Sequence, residues 1–307
     1  MEVLEPLDIT CWRGPFRPEI VAKAADALET GKLLYAPCLP FELSGAERRF
    51  LSPECLDGKS KNVSFRPGSG ALRGTGCRGA EREELLGMLQ RYYAHSCDLL
   101  KALCPGYADH LRPGFTSFRP VEVAGRVTSW RHDDTRLHVD AFPSRPLQGL
   151  RVVRVFTNVH PQKPRVWRVG EAFEQAAARF LPQIGRPMPG WLPLLGLLRV
   201  VKGRRTEYDH VMLGIHDRMK ADARYQSEVT QTQLAFPPGA TWACFTDWVS
   251  HAAMAGQFAF EQTFYLPVIA MQDPQRSPLR VLERLAGRSL VSRTRADGRQ
   301  GLVHTIL

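Results

Sequence analysis

Near residue 115 the hydrophobic period of this sequence changes, and that change constrains the fold more than any other feature. Upstream, apolar residues recur at helical spacing. In RPEIVAKAADALETG, Pro18 stands early, Ile20, Val21, Ala24 and Leu28 share a face, and Gly31 is a stop. KLLYAP reads as a short strand, and SGAERRFLSPECL opens with Ser44 three residues before Glu47, the pattern of a capping box. Residues 80–104 are the longest helical candidate, with Leu85, Leu89, Tyr92 and Leu99 on its face. Downstream, LHVDAF, GLRVVRVFTNV and RVWRV are β-branched and aromatic and are punctuated by Pro and Gly, so they read as strands. Residues 171–181 and 206–224 return to helical spacing. LAFPPGATWACFTDWVSHAAMAGQFAFEQTFYLPV is strand-like again, and an amphipathic helix over 277–287 precedes a polar tail. Two groups of strands split by a helical insert suit a sandwich or a short barrel. We expect one domain that is mainly β with added helices. Its core is a double-stranded β-helix (a jelly roll, cupin-like) over about 116–272, with a helical insert over about 171–225. Residues 1–115 form a helical and mixed N-terminal support, and 273–307 a C-terminal helix and tail.

Composition sets looser limits. The chain has 307 residues, 44% hydrophobic and 23% charged, enough for a sizeable core. Its 41 Lys and Arg against 31 Asp and Glu give a net charge of +10, which favours anionic partners without choosing among them. The start, MEVLEPLDITCW, carries acid where a secretion signal carries base, and no apolar run is long enough to span a bilayer. The seven cysteines are scattered with no Cys-x-x-Cys, which suits reduced thiols in a cytoplasm. SFRPGSGALRGTG is glycine-rich but lacks the Lys-Ser/Thr ending of a phosphate-binding nucleotide loop.

His-x-Asp occurs twice. His132 and Asp134 sit in the wholly polar RHDDTR, which reads as a loop. His138 and Asp140 alternate with Leu137, Val139 and Ala141, so on a strand both point to one face. Iron(II) oxygenases use two histidines and one carboxylate on a triangular face and leave the other positions open. His251, in FTDWVSHAAMAG after a Pro-Pro-Gly turn and an aromatic strand, stands where a returning strand delivers the third ligand. 2-Oxoglutarate fills two open positions and needs a buried cation for its far carboxylate. An arginine about ten residues after the second histidine often serves, but residue 261 is Glu. Arg154, in line with Val152, Phe156 and Asn158, is the expected cation, while Arg151, one register off, points outward. Thr135 and Asn158 are grouped with Arg154 as co-substrate contacts.

SWRHDDTRLHVDAFPSRPLQGLRVVRVFTNVHP, PRVWRVGEAFE and DWVSHAAMAGQFAFEQTFYLP resemble the Kdo hydroxylase family over roughly residues 15–285. The resemblance implies an iron(II)- and 2-oxoglutarate-dependent dioxygenase on a double-stranded β-helix, with iron held by His138, Asp140 and His251. It implies hydroxylation by O2 of carbon 3 of the acidic sugar Kdo in a Kdo-containing lipid A precursor, giving Ko, with ascorbate as the in vitro reductant. It also implies a Gram-negative source and action at the cytoplasmic, inner face of the inner membrane.

Such a ligand wants a basic rim. Arg131, Arg136 and Arg145 flank the metal strand and Arg66 and Arg73 lie on the glycine-rich loop, so these five are the candidate substrate contacts. Residues 188–205, MPGWLPLLGLLRVVKGRR, suit either an anionic membrane surface or a buried helix with a basic end. His210 and His216, six apart on an amphipathic helix, do not share a face and are not expected to bind metal. No nucleic-acid partner is expected. Two other readings stay open on the residues alone: the same iron chemistry on a protein or RNA target, and a jelly-roll binder of acidic sugar that turns nothing over.

Overall fold

The computed structural model describes residues 2–187 and 204–291. Its strands form two sheets. The larger runs in the order β1 (Leu4–Pro6), β2 (Leu33–Ala36), β9 (Thr241–Phe245), β6 (Arg151–Asn158), β11 (Ala259–Leu266), β5 (Arg112–Arg119), β3 (Val63–Arg66) and β4 (Ala71–Arg73). The smaller holds β10 (His251–Ala255), β7 (Arg165–Val169) and β8 (Thr232–Phe236). Among the described residues only β1 and β2 pair in parallel; every other ladder is antiparallel. The sheets meet through aromatic rings. Phe236 of the small sheet stacks on Trp242 of the large one with centroids 3.9 Å apart, and Trp167 meets Phe156 edge-on at 4.8 Å. This is the double-stranded β-helix that the strand grouping predicts.

The far side of the large sheet carries the helices α1 (Pro18–Glu29) and α2 (Gly79–Leu103). Helix α2 buries Leu85, Met88, Leu89, Tyr92 and Leu99, and Tyr92 stacks on Phe260 of β11 at 4.7 Å. The Tyr92 hydroxyl also donates to the Val155 carbonyl at 3.2 Å. The Ser44–Glu47 capping box forms: Ser44 N donates to Glu47 Oε2 at 2.8 Å and Glu47 N to Ser44 Oγ at 3.2 Å. It opens a short 3-10 turn, Glu47–Phe50, rather than a longer helix. The helical expectations at 171–181, 206–224 and 277–287 appear as Phe173–Phe180, Glu207–Ala221 and Pro278–Ala286. The segment expected at a membrane surface or in a buried helix lies outside the described residues except for Arg204 and Arg205, as does the tail beyond 291.

Two strand expectations change. LHVDAF is not a full strand; it joins the small sheet through a single antiparallel bridge between His138 and His251. Arg151 does not point outward. It shares a face of β6 with Val153 and Val155, and a layer of helices and turns covers that face, so all three are buried to 0% exposure. Arg151 Nε donates to Asp247 Oδ2 at 2.8 Å, and its guanidinium lies 3.8 Å from the centroid of Phe245. Burial pushes the Asp247 carboxyl above its usual range, although Arg151 pulls it down. A strand buried on both faces hides from alternation which of its charges faces water.

Replacing one partner of this pair strands the other charge in an apolar layer. Arg151→Met is expected to lower unfolding free energy by about 3–5 kcal/mol in urea titrations, and Arg151→Met/Asp247→Asn to recover most of it. A loss below about 1 kcal/mol for the single variant, as an exposed ion pair would show, contradicts the buried assignment.

Candidate metal centre

His138, Asp140 and His251 converge. Each offers a ligand atom within 4.8 Å of the others, and all three are buried. Convergence comes from the backbone. His138 N donates to His251 O at 3.0 Å and His251 N to His138 O at 2.9 Å, which sets the two rings side by side with centroids 4.7 Å apart. Asp140 N donates to the Thr246 carbonyl at 2.8 Å, fixing the third residue against the same returning chain. His138 Nδ1 contacts the Arg136 carbonyl and His251 Nδ1 the Val249 carbonyl, each at 2.8 Å. A carbonyl only accepts, so each Nδ1 carries the proton and each Nε2 offers a lone pair. Burial, reinforced by neighbouring positive charge, holds His138 well below 6.5 and lowers His251 as well, so both are neutral near neutral pH.

Asp140 is held ionised. Burial raises its carboxyl, but Arg154, His251 and His138 outweigh burial and hold it far below the usual carboxylate range. Arg154 Nη2 lies 3.1 Å from Asp140 Oδ2, yet the geometry is not that of a hydrogen bond, and this buried oxygen has no hydrogen-bond partner. Two neutral imidazole nitrogens and one carboxylate oxygen, Asp140 Oδ1 at 4.0 Å from His138 Nε2, are the donor set of a non-haem iron(II) site, so the residues fit that ion.

Behind Asp140 runs a ladder of alternating charge. Arg154 Nη1 reaches Glu261 Oε1 at 3.0 Å, and Arg119 Nε donates to Glu261 Oε2 at 3.0 Å. Glu261 is buried and clamped between two guanidinium groups. Burial lowers Arg154, but Asp140 and Glu261 outweigh it and keep the side chain charged.

The triad opens on a cavity of about 500 Å³. Its cations, Lys61, Arg119, Arg131, Arg154, Arg165 and Lys220, outnumber its carboxylates, Asp134, Asp140, Asp217 and Glu261. Arg165 differs from the rest. It is buried at 4% exposure, its Nη1 donates to the Gly256 carbonyl at 2.7 Å, and among the described residues it has no ion-pair partner. Burial first, then Arg119, pushes its guanidinium down to about 10. Gly256 permits this approach: its φ is +114°, and a Cβ there would lie 2.8 Å from Arg165 Cδ and 3.0 Å from Arg165 Cα.

The other expected residues divide. Arg154 faces the cavity, but both Nη groups are taken by carboxylates. The Thr135 hydroxyl donates to Asp133 at 2.6 Å. Asn158 also makes local bonds. It donates to the Lys163 and Phe236 carbonyls at 2.9 and 3.0 Å and accepts from His160 N at 3.0 Å, so its amide staples the end of β6. Arg131 lines the cavity beside Asp217. Arg136 turns away to the Lys220 carbonyl at 2.7 Å. Arg66, Arg73 and Arg145 lie outside the cavity lining, around Phe115 and Tyr265. Arg119, Arg165, Lys220 and Glu261 were not foreseen at the site. The available signal was RVWRV, where Arg165 shares a strand face with Trp167 and Val169. His216 was set aside as a ligand; it lines the cavity with its ring edge-on to His138 at 5.3 Å.

Co(II) added to the metal-free protein should give visible absorption that is lost in Asp140→Ala and His251→Ala, with the circular dichroism of both variants unchanged. In Glu261→Gln, Arg154 keeps only Asp140 as its counter-charge and competes harder with the ion; Co(II) affinity should fall about 10- to 100-fold. Because the folded histidines resist protonation, the unfolded chain binds protons near 6.5 that the native chain refuses. Stability of the metal-free protein should therefore decline as pH falls through 6.5 and hold steady above it, as thermal melts across that range will show.

The family model of 3-deoxy-D-manno-oct-2-ulosonic acid (Kdo) hydroxylase matches residues 12–289. Crystal structures of the Kdo hydroxylase KdoO, a non-haem Fe(II) 2-oxoglutarate-dependent dioxygenase, are also similar. Its complex with 2-oxoglutarate and Fe(III) is 44% identical with a TM-score of 0.91, covering 94% of this chain and 98% of the other. Its cobalt(II) complex is 45% identical with a TM-score of 0.92, covering 95% and 98%. No curated protein sequence matches the chain. By the family model and by these structures, the chain belongs to the Kdo hydroxylase family.

Proposed function

We propose that the protein hydroxylates carbon 3 of Kdo in a Kdo-containing lipid A precursor, using iron(II), 2-oxoglutarate and O2, at the cytoplasmic face of the inner membrane. The observation that carries the reading is the buried His138–Asp140–His251 triad opening on a cation-rich cavity. The donor set and the relatives' iron and 2-oxoglutarate complexes support the same cofactors here. The net charge of +10 supports association with an anionic bilayer, and among the described residues no helix is long and apolar enough to cross one.

Iron(II) with 2-oxoglutarate supplies oxygen activation when bound; the chain supplies binding, orientation and exclusion of water. His138 and His251 present Nε2, and Asp140 presents Oδ1, the oxygen turned toward His138 rather than toward Arg154. The far carboxylate of 2-oxoglutarate goes to Arg165 rather than to Arg154 as first expected. A buried guanidinium without a counter-ion calls for an anion, and Arg154 already has two. Arg131 and Lys220, which line the cavity together with His216, take the Kdo carboxylate. Trp167 and Trp242 close the apolar side and keep water from the reacting carbon.

With iron(II) and ascorbate, the purified protein should convert 2-oxoglutarate to succinate and add one oxygen atom to the Kdo of the acceptor, by mass spectrometry; His138→Ala should do neither. Arg165→Leu should raise KM for 2-oxoglutarate about 10- to 100-fold, the cost of a lost charge-assisted contact. An unchanged KM would return that role to another cation. Succinate without oxygen transfer to any Kdo-bearing acceptor would point to the same chemistry on a different target.

A further inference from the structure

Three arginines from separate segments gather outside the metal cavity. Arg66 ends β3, Arg73 ends β4, and Arg145 lies in the loop between Asp140 and β6. The β3–β4 hairpin pairs with the edge of β5, Phe65 opposite Thr116, which brings it beside Phe115. The Arg66 and Arg145 guanidinium groups lie over the Phe115 ring, 5.1 and 4.0 Å from its centroid. Burial pushes the half-buried Arg145 below its usual range; Tyr265 opposes this, and Arg66 and Arg73 add to it. Among the described residues, none of the three arginines has a carboxylate within 4.0 Å. Many arginines elsewhere are paired, as Arg91 is with Glu47 and Arg119 with Glu261.

Like charges held together on an aromatic platform repel one another until an anion joins them. The cluster belongs to the same side of the roll as the reacting centre. Tyr265 lies close enough to both Arg145 and Arg154 to act on each. Along β11, Glu261 is in the cavity and Tyr265 is four residues further, roughly 13 Å at the rise of an extended strand. One small anion cannot serve both places. The carboxylate of Kdo is attached to carbon 2, the neighbour of the carbon to be hydroxylated, so it must lie at the metal centre. What reaches the cluster is a different anion on the same extended molecule. Three forked donors suit the oxygens and the near-double charge of a phosphomonoester better than a second carboxylate.

We infer that Arg66, Arg73 and Arg145 form a subsite for a phosphomonoester of the lipid-linked acceptor, distinct from the anion sites of the metal cavity. This rests on the proposed Kdo-lipid substrate. It makes the enzyme a reader of the phosphorylated glycolipid rather than of Kdo alone.

The test compares a Kdo-bearing acceptor with its enzymatically dephosphorylated form, using wild type, Arg73→Gln and Arg66→Gln/Arg145→Gln. Wild type should prefer the phosphorylated acceptor in kcat/KM, chiefly through KM. The double variant should lower that preference at least tenfold and Arg73→Gln by a smaller factor. Equal activity of wild type on both acceptors, or a preference that survives in the double variant, overturns the subsite. Wild type inactive on both acceptors sinks the Kdo reading instead, and a second measurement then decides the subsite. Inorganic phosphate should raise the melting temperature of wild type above that in chloride of matched ionic strength, and should not do so in the double variant. No phosphate-specific shift in wild type overturns the proposal. Sedimentation with phosphatidylglycerol vesicles separates the remaining source. A double variant that loses vesicle binding while keeping its acceptor preference shows that the arginines read the bilayer, and the proposal falls.

Discussion

Two reciprocal backbone hydrogen bonds between His138 and His251 are the constraint on which the rest depends. They join segments far apart in sequence, and they do so at the residues that bear the chemistry. An antiparallel bridge places its two side chains on the same side of the ladder, so one pairing event both closes the roll and aligns two imidazoles. Asp140 follows at the strand period and is tied to the same returning chain at Thr246. The three donors need no loop to bring them together. A one-residue slip of this bridge would turn His251 to the opposite face and dismantle the site.

The charge ladder behind the triad explains how a buried carboxylate stays ionised and still available. Asp140, Arg154, Glu261 and Arg119 alternate in sign, and the pairs across each step are 2.6–3.1 Å apart. Arg154 alone would hold Asp140 tightly and compete with a metal ion. Glu261 draws part of that guanidinium away, and Arg119 in turn keeps Glu261 charged although it is buried. A glutamate at position 261 therefore follows from placing the neighbouring arginine beside a metal ligand.

Local chemistry was legible where the chain decides it locally. The alternation of Leu137, His138, Val139 and Asp140 marked the pair that the structure brings beside His251, and the helical face of residues 80–104 marked the longest helix. Failures share one cause, the layer lying opposite. Arg151 has the strand parity expected of it but faces a helical cover instead of water. Arg165 was missed because an arginine in a strand looks alike whether it points to solvent or into a cavity; only the small sheet folding over β9 and β6 decides. Arg66, Arg73 and Arg145 were named separately as basic rim residues. That Arg66 and Arg145 meet over Phe115, with Arg73 on the neighbouring strand, depends on an edge hairpin whose pairing no local pattern encodes.

Cations in the cavity and a divalent ion bound at the triad would oppose one another electrostatically, and this opposition would order the ligands. With metal alone, positive charge accumulates around Asp140. A dianionic co-substrate and an acidic sugar each relieve it, so each anion binds better when the ion is present and steadies the ion in return, as linkage requires. Neutral imidazoles serve this arrangement, because a protonated histidine would add charge to a space already rich in it. The cation surplus thus supports binding of acidic ligands in a protein whose metal ligands must themselves remain uncharged or anionic.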